Sequence, residues 1–434
     1  MFHPKRNIAV SIFLFSTIFC NHIYCQPSES QFTAKENQQT IRQLFAVAKT
    51  VRPDSLDKPQ QKPYIDIAKK LKTILPDYTT ENNLDETIIH FIHKTLGLQI
   101  TQKQMDLVQE GQAGGCSGNC TFMIQDTNKI PILVVKAFQN PYETNNFCCF
   151  VKEASAFDIA SSLPNKELNL ILIKSVGRCI IDKKDFTLAT LSLAPGKMLN
   201  DYVTQMIAHP HNSKERQTAF NEIKNAIYKL GKAFAELHNT RTGQNCSLHR
   251  TFKHYILESY RKTLKRLDKD NHEIPVKKLK NCFHDLLNQI ETQKITRSFS
   301  YGDAHFGNIM YEPTKEIITL IDLASLHGSA DQELNPIGTP ALDYSRMLDT
   351  IRMYTLYGLT LDESDTLETS FRNGYVDNNG IMPTPLEMKF FTLFNSIWLL
   401  GWLLKQIEKK SPLVNESFKQ FTKHQISQVK GILL

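Results

Sequence analysis

The stretch Tyr301-Gly-Asp-Ala-His-Phe-Gly-Asn308 decides how the rest of the chain is interpreted. Asp303 and Asn308 lie within it, and Asp322 follows the apolar, strand-like run 317–321. Phosphoryl transfer needs a carboxylate that orients a hydroxyl and accepts its proton, an amide oxygen on a metal, and a second carboxylate between metal and phosphates. The pattern therefore predicts Asp303 as a catalytic base and Asn308 and Asp322 as metal ligands.

Five residues of this stretch resemble the catalytic loop of the aminoglycoside phosphotransferase and choline kinase family, which reads His-Gly-Asp-x-His-x-Gly-Asn. The matching residues are Gly302, Asp303, His305, Gly307 and Asn308. Tyr301 replaces the first His of that pattern and Leu323 replaces an aromatic residue, and neither change removes a group that contacts phosphate or metal. An ordinary turn is the alternative for the Asp and Asn alone, because both residue types tolerate left-handed backbone.

The resemblance implies an α+β, protein-kinase-like fold of two lobes, with a small antiparallel-sheet N-lobe and a mostly helical C-lobe. Strand-like runs occur at 121–124, 132–138, 168–175 and 186–193, with a helical stretch at 150–162. The pattern becomes helical from Met198 onward, so Ala194-Pro-Gly196 marks the expected hinge. We expect a signal peptide at 1–25, a polar lead-in with a helical extension at 26–104, the N-lobe at 105–194 and the C-lobe at 195–434.

Lys136 lies in the apolar strand Val134–Phe138, where an ammonium group needs an anionic partner. In the kinase-like layout such a Lys binds the α and β phosphates of ATP and pairs with a Glu on the next helix. Glu153 is the candidate for that Glu. The alternative is a Lys at a strand edge with its amino group in water.

Two further segments are expected to contact the nucleotide. Gly114, Gly115 and Gly118 precede the first strand-like run and would let backbone N–H groups approach phosphate oxygens. Taken alone, this segment is better explained as a plain hairpin turn. Leu191 and Leu193 lie in the strand that enters the hinge, where backbone amide and carbonyl groups would bind adenine.

Two residues outside the catalytic loop also match the family pattern. Leu230-Gly-Lys-Ala-Phe-Ala-Glu-Leu-His238 resembles the helix that precedes the loop, and we expect His238 to be a packed residue at a helix end. Asp343 resembles an Asp that braces the catalytic loop, and an N-cap role is a compatible alternative. The apolar stretch 390–404 predicts a buried C-lobe helix that is too short to span a membrane.

Residues 1–25 have the pattern of a secretory signal, with Lys5 and Arg6 ahead of an apolar run at 8–20. Export of the mature chain is the expectation, without a transmembrane span after signal removal, and an uncleaved signal anchor is the alternative. Seven of the nine cysteines follow the signal, and this odd number leaves one thiol or an intermolecular bridge. Cys116 and Cys120 either form a disulfide across the glycine loop or are ordinary loop residues.

The positive charge of the chain is concentrated in one segment. The formal net charge is +7, and residues 250–297 hold twelve Lys or Arg against six Asp or Glu. Such a run is usually the solvated face of helices, and an anionic partner is the alternative. Nucleic acid is not expected, because no recognition module accompanies the charge.

These features predict a phosphotransferase that moves the γ-phosphoryl group of ATP, with Mg²⁺, to a hydroxyl of a small molecule. The resemblance implies choline, an amino sugar or a related alcohol as the acceptor. One alternative is a secreted kinase that acts on protein or lipid. The other is a catalytically silent, kinase-like binding protein, against which the presence of all five expected polar side chains argues.

Overall fold

Two sheets and a series of helices make up the part of the chain that the structure, a computed structural model, describes. The described residues are 31–52, 64–80, 83–109, 119–139, 147–163, 167–269, 274–410 and 416–433. The predicted signal peptide at 1–25 lies outside them. The described chain has the predicted α+β fold, with an antiparallel-sheet N-lobe and a mostly helical C-lobe.

The strands form two main sheets and one two-stranded pair. They are Met105–Gln109 (β1), Asn119–Gln125 (β2), Pro131–Gln139 (β3), Leu168–Leu170 (β4), Ile173–Ile181 (β5), Lys184–Leu191 (β6), Lys197–Met198 (β7), Thr242–Cys246 (β8), Ile295–Ser298 (β9), Ile309–Glu312 (β10) and Ile317–Leu320 (β11). The larger sheet has the order β1-β2-β3-β6-β5 and is antiparallel throughout, and the smaller has the order β4-β11-β10-β7. Strands β8 and β9 form the two-stranded pair.

Helices precede, cover and follow the sheets. Three lie ahead of the larger sheet, one lies between β3 and β4, and the rest build the C-lobe. They are Gln31–Lys49 (α1), Tyr64–Ile74 (α2), Leu84–Leu96 (α3), Phe147–Ser161 (α4), Leu199–Ala208 (α5), Lys214–Asn239 (α6), Arg250–Lys269 (α7), Val276–Gln293 (α8), Pro340–Met353 (α9), Leu361–Asp377 (α10), Pro385–Glu408 (α11) and Glu416–Leu433 (α12).

The two faces of β3 determine where Lys136 points. Leu133, Val135 and Ala137 are buried in a cluster with residues of α3, whereas Val134 and Phe138 belong to the cluster that contains α4. Because successive strand residues point to opposite faces, Lys136 shares the face of Val134 and Phe138. The strand thus directs its one lysine toward α4.

The smaller sheet differs from the expected strands. The run 168–175, expected as one strand, is two: β4 pairs in parallel with β11, and β5 begins at Ile173 in the larger sheet. Periodicity cannot detect this division, because both pieces are apolar and each is buried in a different sheet. At the expected hinge, Gly196 has φ +86° and a Cβ there would lie 1.9 Å from the Tyr311 carbonyl oxygen, so β7 passes directly against β10.

Arg52, just after α1, connects the N-terminal helices to the two segments around the site. Its side chain is fully buried, and its Nε donates to Ser155 Oγ at 2.7 Å on α4. It also forms an ion pair with Asp158. Gln332, which follows Asp322 along the chain, donates to the Arg52 carbonyl oxygen at 3.3 Å. Arg52 therefore holds α4 against the loop that comes after β11.

Replacing Arg52 with alanine is expected to lower the free energy of unfolding by about 3 kcal/mol, because it leaves Asp158 and Ser155 without their buried partner. Urea unfolding measures this change. Lys262→Ala is the control, since Lys262 pairs with Glu258 at 2.7 Å while both side chains are more than half exposed, and such pairs contribute about 0–1 kcal/mol. Equal losses in the two variants would contradict the buried role of Arg52.

The apolar stretch 390–404 lies inside α11. This helix is long and apolar enough to cross a membrane by composition alone, and 67% of its most apolar window is buried within the protein. Phe390, Phe394 and Ile397 pack in one cluster with residues of α7 and α8. The helix is therefore buried in the C-lobe as predicted, but its 24 residues extend beyond the stretch 390–404, so the prediction that it is too short to span a membrane is wrong.

Candidate active site

Strand pairing brings the catalytic loop and Asp322 together. The loop lies between β9 and β10, and β11 leads into Asp322. The register of the two strands pairs Ile309 with Leu320, and Ile321 N donates to the Asn308 carbonyl oxygen at 3.0 Å. The ends of this hairpin therefore place Asn308 beside the residue that precedes Asp322.

Asp303 and Asn308 form one hydrogen-bonded unit. Asn308 Nδ2 donates to the Asp303 carbonyl oxygen at 3.3 Å and to its carboxylate Oδ2 at 3.2 Å. With the amide nitrogen used in this way, Oδ1 of Asn308 is the atom left to coordinate a cation. The Asp303 side chain is 28% exposed, so an incoming hydroxyl has access to it.

Asp322 ends the strand in a left-handed conformation, with φ 54° and ψ 62°. Its side chain is 56% exposed, and its Oδ1 lies 3.9 Å from Lys136 Nζ. Asp tolerates this backbone conformation better than most residues other than glycine. The geometry turns the carboxylate away from the core and toward the N-lobe lysine.

Lys136 and Glu153 form the closest ion pair of the group, with Nζ and Oε1 2.5 Å apart. The Glu153 side chain is only 5% exposed, whereas that of Lys136 is 18% exposed. Burial raises the pKa of the Glu153 carboxyl and the charge of Asp322 adds to the rise, while Lys136 opposes it. Lys136 therefore lies between two carboxylates, one from each lobe.

Asp343 braces the catalytic loop from α9. Its carboxylate is fully buried and accepts hydrogen bonds from Tyr301 N at 2.6 Å, Gly302 N at 2.7 Å and His238 Nε2 at 3.2 Å. The alternative N-cap role is wrong, because Thr339 caps α9 and Asp343 lies inside the helix. The carboxylate instead satisfies loop N–H groups that no strand partner reaches.

Tyr301, the residue that departs from the family pattern, links the two halves of the site. It is fully buried, and its hydroxyl donates to the Ile321 carbonyl oxygen, one residue before Asp322. Burial raises the pKa of this hydroxyl well above its ordinary value, and the charge of Asp303 adds to the rise. Tyr301 therefore stays protonated and can keep donating to that carbonyl.

Only some of the residues predicted to contact the nucleotide lie in the described part of the chain. Gly114, Gly115 and Gly118 lie outside the described residues, as does Cys116 of the proposed disulfide. Leu191 is the last residue of β6 and is paired with strands on both sides. Leu193, beyond the end of the strand, is only partly buried. Of the two, Leu193 has its backbone outside the sheet ladder, so it is the better placed for the predicted adenine contact.

Three residues near the site were not predicted from the sequence: Arg52, Arg346 and Tyr255. Arg346 follows Asp343 by one helical turn, and its Nη1 lies 3.8 Å from Asp303 Oδ1. That i, i+3 spacing on α9 is the signal from which its position could have been inferred. Tyr255 has no such signal, because α7 reaches the loop only through packing of the C-lobe.

Asn308 Oδ1 and the Asp322 carboxylate are hard oxygen donors from two elements, a donor set that suits Mg²⁺. Within the described part of the chain, no group of three or more His, Cys, Asp or Glu could hold a metal ion. Mg²⁺ at phosphoryl-transfer sites takes few protein ligands and completes its shell with phosphate oxygens and water. The residues therefore fit a nucleotide-bound Mg²⁺ better than a metal held by protein alone.

Comparison with known proteins yields matches among solved structures alone, since no protein-family model and no curated protein matches the chain. An amicoumacin kinase in complex with AMP-PNP and Ca²⁺ is 12% identical with a TM-score of 0.48, covering 76% of this chain and 89% of that one. A glucosamine kinase in complex with glucosamine and ADP is 10% identical, with a TM-score of 0.47 and coverages of 82% and 84%. A choline kinase from Cryptosporidium parvum is 13% identical, with a TM-score of 0.46 and coverages of 80% and 94%. By their names these three proteins are kinases of small molecules.

Proposed function

We propose that this protein is a kinase that transfers the γ-phosphoryl group of ATP to a hydroxyl of a small molecule. The observation that carries the proposal is the convergence of five polar side chains, from strand β3, helix α4, the catalytic loop and the segment after β11. They are Lys136, Glu153, Asp303, Asn308 and Asp322. Lys136 lies within ion-pair distance of Glu153 and Asp322, and Asn308 donates a hydrogen bond to Asp303.

Asp303 would act as the base. Its carboxylate, 28% exposed and held by Asn308, orients the acceptor hydroxyl and takes its proton as the oxygen attacks the γ phosphorus. The new bond joins that oxygen to phosphorus, the bond to the β-phosphate oxygen breaks, and ADP leaves with the electron pair. Positioning and charge, more than covalent chemistry, determine the rate of this reaction.

Asn308 and Asp322 would hold Mg²⁺, which supplies charge neutralisation for the phosphate oxygens when it is bound. Lys136 would bind the α and β phosphates, and Glu153 keeps its ammonium group in place at 2.5 Å. Leu193 and the segment with Gly114, Gly115 and Gly118 would supply backbone groups to the nucleotide. The close approach of Lys136 to Asp322 supports one shared phosphate site.

The same arrangement favours a catalytic protein over a silent, kinase-like binding protein. A protein that had lost catalysis would be under no constraint to keep the Asp322 carboxylate exposed beside Lys136. We also propose that the mature chain is exported, because residues 1–25 have the pattern of a secretory signal. Delivery to a compartment that contains ATP would then be required for activity.

Nucleotide binding gives the first test. MgATP at about 100 times its Kd is expected to raise the Tm of the mature protein by about 3 °C, since binding to the native state alone contributes about 2.7 kcal/mol. Asp322→Asn is expected to abolish most of this shift, because it removes the carboxylate nearest the phosphates. Asp285→Asn is the control, as Asp285 is an exposed residue of α8.

A labelled product gives the second test. Incubation with ATP labelled at the γ-phosphate, against a panel of hydroxylated metabolites and separately against a protein extract, distinguishes a small-molecule kinase from a protein kinase. Labelled metabolite that depends on Asp303 is the expected product. A wild-type protein that shows no MgATP shift would contradict the whole proposal, whereas labelled protein alone would contradict the acceptor class.

A further inference from the structure

Arg346 is the nearest cation to the proposed base, and its surroundings bear on which acceptor the site takes. Its Nη1 lies 3.8 Å from Asp303 Oδ1 and donates to the Gly302 carbonyl oxygen. The side chain is only 7% exposed, and the guanidinium lies 4.3 Å from the ring centroid of Trp398. A buried positive charge is therefore fixed beside the carboxylate that the acceptor must approach.

The hydrogen bonds of Arg346 leave one nitrogen available. Nε donates to Asn395 Oδ1 at 3.3 Å, and Nη1 is used by Gly302. Nη2 is buried and makes no hydrogen bond to a protein atom of the described residues. An unsatisfied, buried guanidinium N–H group is costly, and an oxygen atom of a ligand would satisfy it.

Tyr255 supplies a second donor from α7. Its ring packs against Phe394, with the two centroids 6.0 Å apart, yet the residue is 38% exposed and so borders open space. Burial raises the pKa of its hydroxyl. The charge of Arg346 lowers that pKa, the charge of Asp303 raises it, and contacts with the side chains of Arg346 and Ser259 lower it. The hydroxyl therefore lies within the fields of both groups, and it remains protonated at neutral pH.

Apart from Asp303, which Arg346 faces at 3.8 Å, the acids around this pair are either paired or only partly charged. Glu258, one turn after Tyr255, is paired with Lys262 at 2.7 Å and faces His254 at 4.0 Å. Burial raises the pKa of Asp349, one turn after Arg346, to about 7, so this acid carries only part of its charge at neutral pH. The exposed Lys152 of α4 adds positive charge, which acts on Glu258.

Trp398 is equally unsuited to a cationic ligand. Aromatic faces bind quaternary ammonium groups through cation–π contacts, but the guanidinium of Arg346 already covers the Trp398 ring. A second cation at this position would meet Arg346 rather than the ring. The Trp398 ring therefore offers no free face to amino alcohols and amino sugars on the side that Arg346 covers.

We propose that Nη2 of Arg346 and the hydroxyl of Tyr255 form a subsite for an oxyanion of the acceptor, so that the kinase prefers hydroxylated acids or phosphorylated alcohols to cationic alcohols. This inference rests on the proposed phosphotransfer at Asp303. The positive segment 250–297 contains Tyr255, and an anionic acceptor would have the opposite charge to this segment. The acceptor hydroxyl would lie at Asp303 with its oxyanion on the Arg346 side.

The test is a thermal-shift panel in the presence of MgADP. Its probes are hydroxylated carboxylates such as glucuronate and gluconate, phosphorylated alcohols such as glucose 6-phosphate and glycerol 3-phosphate, and the cations choline and glucosamine. Stabilisation by members of the anionic groups is expected, and the two groups distinguish a carboxylate from a phosphate. Stabilisation by cations alone, or by no anionic probe, would overturn the inference.

Variants then assign the binding to the subsite. Tyr255→Phe keeps the packed ring and is expected to weaken binding of the anionic probe roughly tenfold, as a hydrogen bond to a charged group is lost, with the MgATP shift unchanged. Arg346→Lys keeps the charge without the free nitrogen and should weaken it at least as much. Tyr228→Phe removes a hydroxyl bonded to Asp377 at 2.8 Å on α10 and is the control.

The two variants also separate this inference from the proposed function. Wild-type affinity for the anionic probe in folded Tyr255→Phe and Arg346→Lys proteins would overturn the subsite, even if phosphotransfer is intact. An absent MgATP shift in the wild type would instead contradict the kinase itself. If Arg346→Lys fails to fold, the result with Tyr255→Phe decides.

Discussion

Asp303→Asn is expected to lower kcat by roughly 10²- to 10⁴-fold, the range that a positioned general base contributes. The amide that replaces the carboxylate has the same shape but cannot accept the proton of the acceptor hydroxyl. Affinity for MgATP is expected to change less than about threefold, well under 1 kcal/mol, because Lys136 and Asp322, 3.9 Å apart, are untouched. The measurements are steady-state kinetics with the best acceptor from the labelled screen, and the MgATP thermal shift.

His305→Asn is a useful comparison for this variant. The Nε2 atom of His305 lies 3.9 Å from Asp303 Oδ2, and the His305 side chain is 47% exposed. The imidazole is therefore a second candidate for the base near the acceptor hydroxyl. If Asp303 is the base, the loss at Asp303 should exceed the loss at His305 by at least about tenfold, or 1.4 kcal/mol in the barrier. A larger loss for His305→Asn would transfer the role of base to the imidazole.

The sequence indicated which residues meet at the candidate site because these residues are close along the chain or lie in a strand whose apolar neighbours make their needs plain. Asp303 and Asn308 precede one strand pair and Asp322 follows it, and the register of a tight hairpin follows from its pattern of apolar residues. Lys136 interrupts an apolar strand, a position at which a partner such as Glu153 is required. Both inferences use constraints that act over short distances along the chain or over one strand face.

Other features of the site depend on how distant elements pack, and no local pattern contains that information. Arg52 contacts Ser155 across 103 positions, and Tyr255 reaches the site only because α7 packs on α11. The division of 168–175 between two sheets also depends on β11, about 150 residues later. The role of Tyr301 likewise depends on a distant contact, because its hydroxyl donates to the Ile321 carbonyl oxygen.

Asp343→Asn is expected to lower the free energy of unfolding by on the order of 4 kcal/mol, because hydrogen bonds to a buried charged acceptor contribute about 1.5–3 kcal/mol each. Its carboxylate accepts from Tyr301 N, Gly302 N and His238 Nε2 at 2.6–3.2 Å. An asparagine amide offers one acceptor oxygen and directs its own N–H groups at the remaining donors. At least one buried backbone N–H would then lose its partner, which the loop cannot replace without moving.

The same substitution should reduce kcat in the fraction that remains folded. Tyr301 and Gly302 immediately precede Asp303, so a shift of their backbone moves the base, and misplacement of about 1 Å costs on the order of 100-fold in rate. Urea unfolding and kcat measured below the transition separate the two effects. Asp349→Asn on the same helix is the matched control, because burial raises the pKa of Asp349 to about 7 and this carboxyl carries only part of its charge at neutral pH. If both variants unfold at the same urea concentration, Asp343 does not brace the loop; if Asp343→Asn is destabilised with an unchanged kcat, the brace supports the fold without positioning the base.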